Sequence, residues 1–217
     1  MAWMYEYYNT GRDSELGDFY GDNLWQCQTF TVGTTGPNVN HNITSVKLLL
    51  SRQGEPGTLY VSIKATDEAG KPTGGDLSTG TTNGNTLPEY PGIEWREVTM
   101  SSYTLLANTK YAIVVRLPNG DEYNLVFTGA DITSPAYTGG SWGYTSNGGT
   151  SWTMNTAYDI MFEIWSDTEP PAGTNMKVNI SDVFKDISEI KINIGDVWKA
   201  VTKIQVNIGD VWKTVFG

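Results

Sequence analysis

Leu59-Tyr60-Val61-Ser62-Ile63-Lys64-Ala65 alternates apolar and polar residues, which sets Leu59, Val61 and Ile63 on one face of an extended strand. Upstream, Ser45-Val46-Lys47-Leu48-Leu49-Leu50 is equally β-prone and is closed by the turn residues Gln53-Gly54-Glu55-Pro56-Gly57. Downstream, residues 67–75 read as one long polar turn. Further strands are expected at 95–100, 111–117, 123–128 and 158–165. The run Tyr111-Ala112-Ile113-Val114-Val115-Arg116-Leu117 is the most apolar and belongs at the centre of a sheet. Asn119-Gly120-Asp121 signals a tight turn ahead of Tyr123. About eight short strands with Gly/Pro/Asn punctuation and no amphipathic helix make an all-β fold, a jelly-roll-like antiparallel β-sandwich.

That sandwich is expected over residues 24–166, behind an aromatic and acidic N-terminal segment at 1–23. The aromatic start Trp3-Met4-Tyr5-Glu6-Tyr7-Tyr8 is costly to leave in water and is expected to dock on a sheet edge or a partner. After Trp165 the composition changes. Residues 167–175 hold Pro170-Pro171 and read as a stiff, extended linker.

Residues 176–217 then form three copies of a 14-residue unit. The copies are Lys177-Val178-Asn179-Ile180-Ser181-Asp182-Val183-Phe184-Lys185, Lys191-Ile192-Asn193-Ile194-Gly195-Asp196-Val197-Trp198-Lys199 and Gln205-Val206-Asn207-Ile208-Gly209-Asp210-Val211-Trp212-Lys213. Gly-Asp between two β-prone arms is a two-residue hairpin turn, which Ser181 weakens in the first copy. With the turn at Gly195-Asp196, Ile194 faces Val197 and Asn193 faces Trp198. A lone hairpin is marginal in water. The three units therefore stack within the chain as a small solenoid, or intertwine with other copies as in a trimeric fibre shaft. The absence of a polar capping unit before Val215-Phe216-Gly217 favours the second reading. The expected assembly contacts are Ile180, Phe184, Ile194, Trp198, Ile208 and Trp212.

Fourteen basic against 24 acidic residues give a net charge of −10. The tail beyond Asn175 carries six Lys and five acidic residues, so the acidity sits in the body. This balance argues against a nucleic-acid partner, whose affinity rests on basic patches. No run approaches the roughly 20 apolar residues of a membrane helix, and residues 1–25 lack the pattern of a signal peptide. Synthesis without a leader, with delivery to a virion surface or extracellular filament, is the expectation. The one cysteine, Cys27, allows no intrachain disulfide.

Several segments have a family look: Gln28-Thr29-Phe30-Thr31-Val32, Ile43-Thr44-Ser45-Val46-Lys47-Leu48-Leu49-Leu50 and Gly57-Thr58-Leu59-Tyr60-Val61-Ser62-Ile63. So do Gly70-Lys71-Pro72-Thr73-Gly74-Gly75-Asp76-Leu77, Leu105-Leu106-Ala107-Asn108-Thr109-Lys110-Tyr111-Ala112-Ile113-Val114 and Ser146-Asn147-Gly148-Gly149-Thr150-Ser151-Trp152. Together these resemble the choice-of-anchor R domain, a β-sandwich of surface and phage-like proteins that precedes varied C-terminal attachment segments. The resemblance spans residues 24–165 and implies a fold and no catalytic residues. Here the repeats stand where an anchor would be, and they look like the short hairpin repeats at the ends of some phage tail and fibre proteins.

The chemical inventory is thin. His41, the only histidine, falls in the turn Pro37-Asn38-Val39-Asn40-His41-Asn42, away from the strand that holds Cys27, so no nucleophile–base pair is indicated. Zinc needs about four N/S ligands, and these are the only two such residues. Glu94, Glu97, Asp121, Glu122, Asp159 and Glu163 lie in or near strands and read as solvated faces or turns rather than a glycosidase pair. Asp13, Glu15, Asp18 and Asp22 are oxygen ligands in an irregular segment, the weak candidates for calcium; no other cofactor is indicated. Thr145-Ser146-Asn147-Gly148-Gly149-Thr150-Ser151-Trp152 resembles the Asp-box of sialidases, a structural hairpin that predicts a tucked Trp152. Tyr137, Trp142, Tyr144 and Trp152 form a Gly-rich aromatic cluster. It either covers the end of the core or stacks on a glycan.

Two functions follow as expectations. The first is a non-enzymatic structural or attachment protein: a decoration, head-fibre or tail-fibre subunit that forms a homo-oligomer, expected as a trimer, beside capsid or tail proteins. The second is a carbohydrate-binding module that recognises a cell-surface glycan through its loop aromatics.

Overall fold

A computed structural model describes residues 2–17 and 19–170 and, beyond them, the backbone of six strands between Lys177 and Phe216. The chain divides into two units, residues 1–169 and residues 170–217.

The first unit contains thirteen strands among the described residues: β1 Trp3–Tyr8, β2 Ser14–Leu16, β3 Trp25–Thr31, β4 His41–Gln53, β5 Thr58–Thr66, β6 Pro72–Asn83, β7 Glu94–Leu105, β8 Lys110–Arg116, β9 Leu125–Asp131, β10 Trp142–Thr145, β11 Thr153–Asn155, β12 Asp159–Ile160 and β13 Phe162–Ser166. They form two antiparallel sheets. The sandwich expected from the alternation of residues 59–65 is the fold observed.

Long strand β4 is the spine of the first sheet. Val46 pairs with Val98 of β7 and also with Ile164 of β13, so those strands flank opposite edges of β4. Leu50 likewise pairs with Glu94 of β7 and Thr128 of β9. β13 and β9 therefore share one edge of β4 end to end. β1 lies outside β13, and β2 and β12 both pair with β9.

The second sheet runs β11-β10-β3-β8-β5-β6, with the apolar β8 in the interior as its sequence demands. Leu59, Val61 and Ile63 point inward and are fully buried, against Val46, Leu48 and Leu50 of β4 and Ile113 and Val115 of β8 in one core. On one side the sheets nearly touch, edge β6 against edge β7. Ser78 Oγ donates to the Ser101 carbonyl at 2.5 Å, and the Thr79 N–H donates to Ser101 Oγ at 2.9 Å. Gly80 permits this approach, because a Cβ there would overlap the Thr99 carbonyl oxygen.

The aromatic start docks on a sheet edge as expected, and it does so as strand β1 of the first sheet, hydrogen-bonded along β13, so the sandwich begins before residue 24. The polar turn is also shorter than residues 67–75: it closes with the Asp67 N–H donating to the Lys71 carbonyl, and β6 begins at Pro72. Threonine, serine and glycine fill β6 because it is a mostly solvated edge strand, so the apolar alternation that marks β5 is missing there.

The second unit holds three hairpins, each its own two-stranded sheet: β14 Lys177–Ile180 with β15 Val183–Asp186, β16 Lys191–Ile194 with β17 Val197–Ala200, and β18 Ile204–Ile208 with β19 Val211–Phe216. Ile180, Ile194 and Ile208 pair with Val183, Val197 and Val211. Asn179, Asn193 and Asn207 pair with Phe184, Trp198 and Trp212, the register read from the sequence. The turn positions Gly195-Asp196 lie outside the described residues.

Candidate functional site

The outer face of the second sheet carries the most elaborate arrangement of side chains. Because Leu59, Val61 and Ile63 fill the core, Tyr60, Ser62 and Lys64 point to the other side. Tyr60 pairs with Arg116 of β8 and with Thr81 of β6, and Lys64 pairs with Asp76. One end of this face is roofed by the Asp-box loop. Thr145 Oγ1 donates to Asn147 Oδ1 at 2.8 Å, and that oxygen also accepts the Ser151 N–H at 2.9 Å. Gly148 and Gly149 hold φ near 64° and 82°, which suits glycine and turns the chain back over the sheet. The loop drives Trp152 onto Cys27, Ala112 and Val114, where the indole is 5% exposed. The tucked tryptophan expected of the box is thus observed.

Beside that roof runs an open groove. One part, about 600 Å³, lies between Gly148–Trp152 and Lys71–Asp76. A second part, about 870 Å³, extends over Tyr60, Thr79, Thr81 and Thr99. Trp25, Asp76 and Arg116 line both, so the two are one continuous trough. Its floor is tightly bonded. The Arg116 guanidinium stands 5.3 Å from the Trp25 ring centroid, and its Nη2 donates to Asp76 at 2.7 Å and to Ser62 Oγ at 3.1 Å. Lys64 Nζ is 3.3 Å from the other Asp76 oxygen. Burial alone would raise the Asp76 carboxyl, but the hydrogen bond and charge of Arg116, reinforced by Lys64, hold it below the usual carboxylate range.

The aromatic cluster expected in the loops is split up. Tyr137 is buried in the core, edge-on to Phe162 at 5.3 Å, and its hydroxyl donates to Glu6 at 3.0 Å. Trp152 lies under the box loop. Both rings are almost wholly enclosed, although Trp152 reaches the end of the outer-face groove; sequence spacing cannot distinguish an exposed loop aromatic from one folded onto the core. Trp142 and Tyr144 do remain together, 5.4 Å apart, beside a 280 Å³ cleft with Leu16, Phe19 and Leu24. Trp142 is only half-open, and its Nε1 is held by Gln26 at 3.1 Å.

The acidic candidates also disperse. Asp13 accepts the Ile132 N–H at 2.9 Å, and bonds from Thr133 and Ile132 lower its carboxyl. Glu15 pairs with Arg12, and Asp22 stands on the rim of the outer-face groove. Asp18 lies outside the described residues. Among the described residues, no three His, Cys, Asp or Glu side chains gather as a cation site.

His41 is not in an open turn: it opens β4, is 2% exposed and stacks on Tyr5 at 3.8 Å. Burial lowers its imidazole, partly offset by a hydrogen bond with the Val39 carbonyl. Cys27 sits under Trp152, and burial pushes its thiol up.

Sequence reasoning missed two buried carboxylate arrangements. Glu6 accepts the N–H groups of Gly33, Thr34 and Thr35 at 3.0, 3.1 and 2.9 Å, plus the hydroxyls of Thr35 and Tyr137. Asp159, read as solvated, is 2% exposed and pairs across the ladder with the equally enclosed Asp131. Burial pushes Asp159 up to about 7 despite a 2.7 Å bond from Gln28 Nε2, and the Asp131 charge adds to the rise. Neither aspartate lines the outer-face groove or the cleft beside Trp142. The only hint in the sequence was position: both fall where an apolar strand needed every residue.

No protein-family model matches the chain. No curated protein matches it either.

Proposed function

We propose that this is a non-enzymatic structural and attachment protein: a β-sandwich displayed on a tail that self-associates, of the kind that serves as a decoration, head-fibre or tail-fibre subunit on a virion surface. The observation that carries the reading is the tail's periodicity in backbone as well as sequence. Three hairpins recur with one register, Ile–Val at the turn and Asn–aromatic beyond it. Among the described residues each is hydrogen-bonded only within itself. A two-stranded ribbon gains too little burial to persist alone in water. Units rich in Ile, Val and Trp gain that burial most simply against the same units of neighbouring copies. Ile180, Phe184, Ile194, Trp198, Ile208 and Trp212 are the contacts assigned to it. Capsid or tail proteins of the same particle are the other partners of this reading.

The body supports a display role, since the residues best suited to nucleophilic chemistry are spent on packing. Cys27 is covered by Trp152, and His41 is stacked on Tyr5. Light scattering on the full chain and on residues 1–169, which carry their own core, tests the proposal. A trimer or larger assembly that becomes monomeric on truncation is the expected result. Two monomers, or two equal oligomers, would remove the tail as the assembly device.

A further inference from the structure

We propose that the groove on the outer face of the second sheet is a binding site for a neutral oligosaccharide chain. It lies wholly within residues 1–169, so this inference stands apart from how the tail assembles.

Three features define the ligand. The first is shape: the two continuous parts, about 600 and 870 Å³, form an open trough that suits an extended chain rather than a single enclosed molecule. The second is the chemistry of the floor. Trp25, Arg116, Tyr60 and Thr81 lie in a row across β3, β8, β5 and β6, with Asp76 and Thr79 alongside. Tyr60 is 39% exposed, so its ring is open to the groove. A pyranose ring presents C–H groups on its faces and hydroxyls around its rim. It matches an aromatic ring flanked by a carboxylate, a guanidinium and threonine hydroxyls.

Charge is the third feature. Over the whole groove three carboxylates, Asp22, Asp67 and Asp76, balance three cations, Lys71 on the rim and Lys64 and Arg116 sharing Asp76 on the floor. An anionic sugar would have to compete with Asp76 for the floor cations, whereas a neutral one bonds to the assembled group as it stands. An extended peptide fits less well. Most of the floor, β3, β8 and β5, is hydrogen-bonded along both edges, so only edge strand β6 lacks a ladder partner on one side for strand addition.

The test is an array of defined neutral and acidic oligosaccharides probed with the full chain, followed by titration of the best soluble binder. Binding to neutral glycans is expected, with Tyr60→Ala weakening affinity by about tenfold, equivalent to about 1.4 kcal/mol. Tyr60→Phe keeps the ring and should stay within about threefold, and Trp142→Ala, outside the groove, should bind as wild type. An unchanged melting temperature separates lost contact from lost fold. The proposal is overturned if no neutral oligosaccharide binds, if binding is confined to acidic sugars, or if Tyr60→Ala binds normally. Dependence on Trp142 with Tyr60 dispensable would overturn it too, and would move the site to the other aromatic cluster.

Discussion

Replacing Asp159 by Asn should make the body less sensitive to alkaline pH, by an amount that can be worked from its surroundings. Asp159 is 2% exposed, accepts a bond from Gln28 and faces Asp131 in the ladder. Its carboxyl moves from 3.8 to about 7 on folding, chiefly through burial. The folded protein therefore holds a proton that the unfolded chain has released, at every pH between those values. Its stabilising contribution is complete below about pH 3.8 and is lost as pH rises through about 7. At about 1.4 kcal/mol per tenfold change in proton affinity, the whole effect is roughly 4 kcal/mol. Roughly two of the three decades lie between pH 5 and pH 7. Wild type should thus lose about 3 kcal/mol relative to D159N between pH 5 and pH 8. Asn keeps an oxygen for Gln28 and carries no charge toward Asp131, so the comparison isolates the ionisation. Urea unfolding of both proteins across that range, followed by tryptophan fluorescence, measures it. A difference that stays within about 0.5 kcal/mol, or that shrinks as pH rises, would falsify the argument.

Other outcomes follow from packing. Glu6→Ala leaves the N–H groups of Gly33, Thr34 and Thr35 without their acceptor, and should cost about 3 kcal/mol or more in urea unfolding. Glu6→Gln retains an acceptor and should cost clearly less; equal losses would mean the hydrogen bonds are not the cause. Gly80→Val forces a side chain between the β6 and β7 edges and should destabilise by about 2 kcal/mol, seen as a lower melting temperature. An unchanged melting temperature would mean the two edges part freely.

The sequence exposed what periodicity encodes. Alternation at 59–65 and the apolar run at 111–117 identified β5 and β8, and the 14-residue repeat yielded the hairpin register. What it hid were elements whose neighbours, rather than their own residues, make them strands. β1 reads as an aromatic tail until β13 is beside it, and β6 reads as a polar turn until β5 is. The groove was hidden for the same reason. Trp25, Tyr60, Asp76 and Arg116 lie on four strands and become a unit only when β3, β8, β5 and β6 line up. The loop aromatics were legible in part: the box motif pointed to a tucked Trp152, but nothing in the sequence separated buried Tyr137 from half-open Trp142.

The pairing of β1 with β13 also governs how the body is made. Trp3 meets Ser166, and the Tyr5 hydroxyl reaches the Thr168 carbonyl, 163 residues further along the chain. That edge cannot close until nearly the whole body has left the ribosome, and contacts of such long range make folding slow. Each tail hairpin takes its ladder partners from its own few residues. The polypeptide thus joins a slow-folding head to ribbons whose main-chain pairing is local, and translation finishes the ribbons after the head's last strand has emerged. Until β13 is made, β1 and the edge of β4 that β13 will cover stay unpaired, so the rate of that closure sets how much of the newly made protein escapes aggregation.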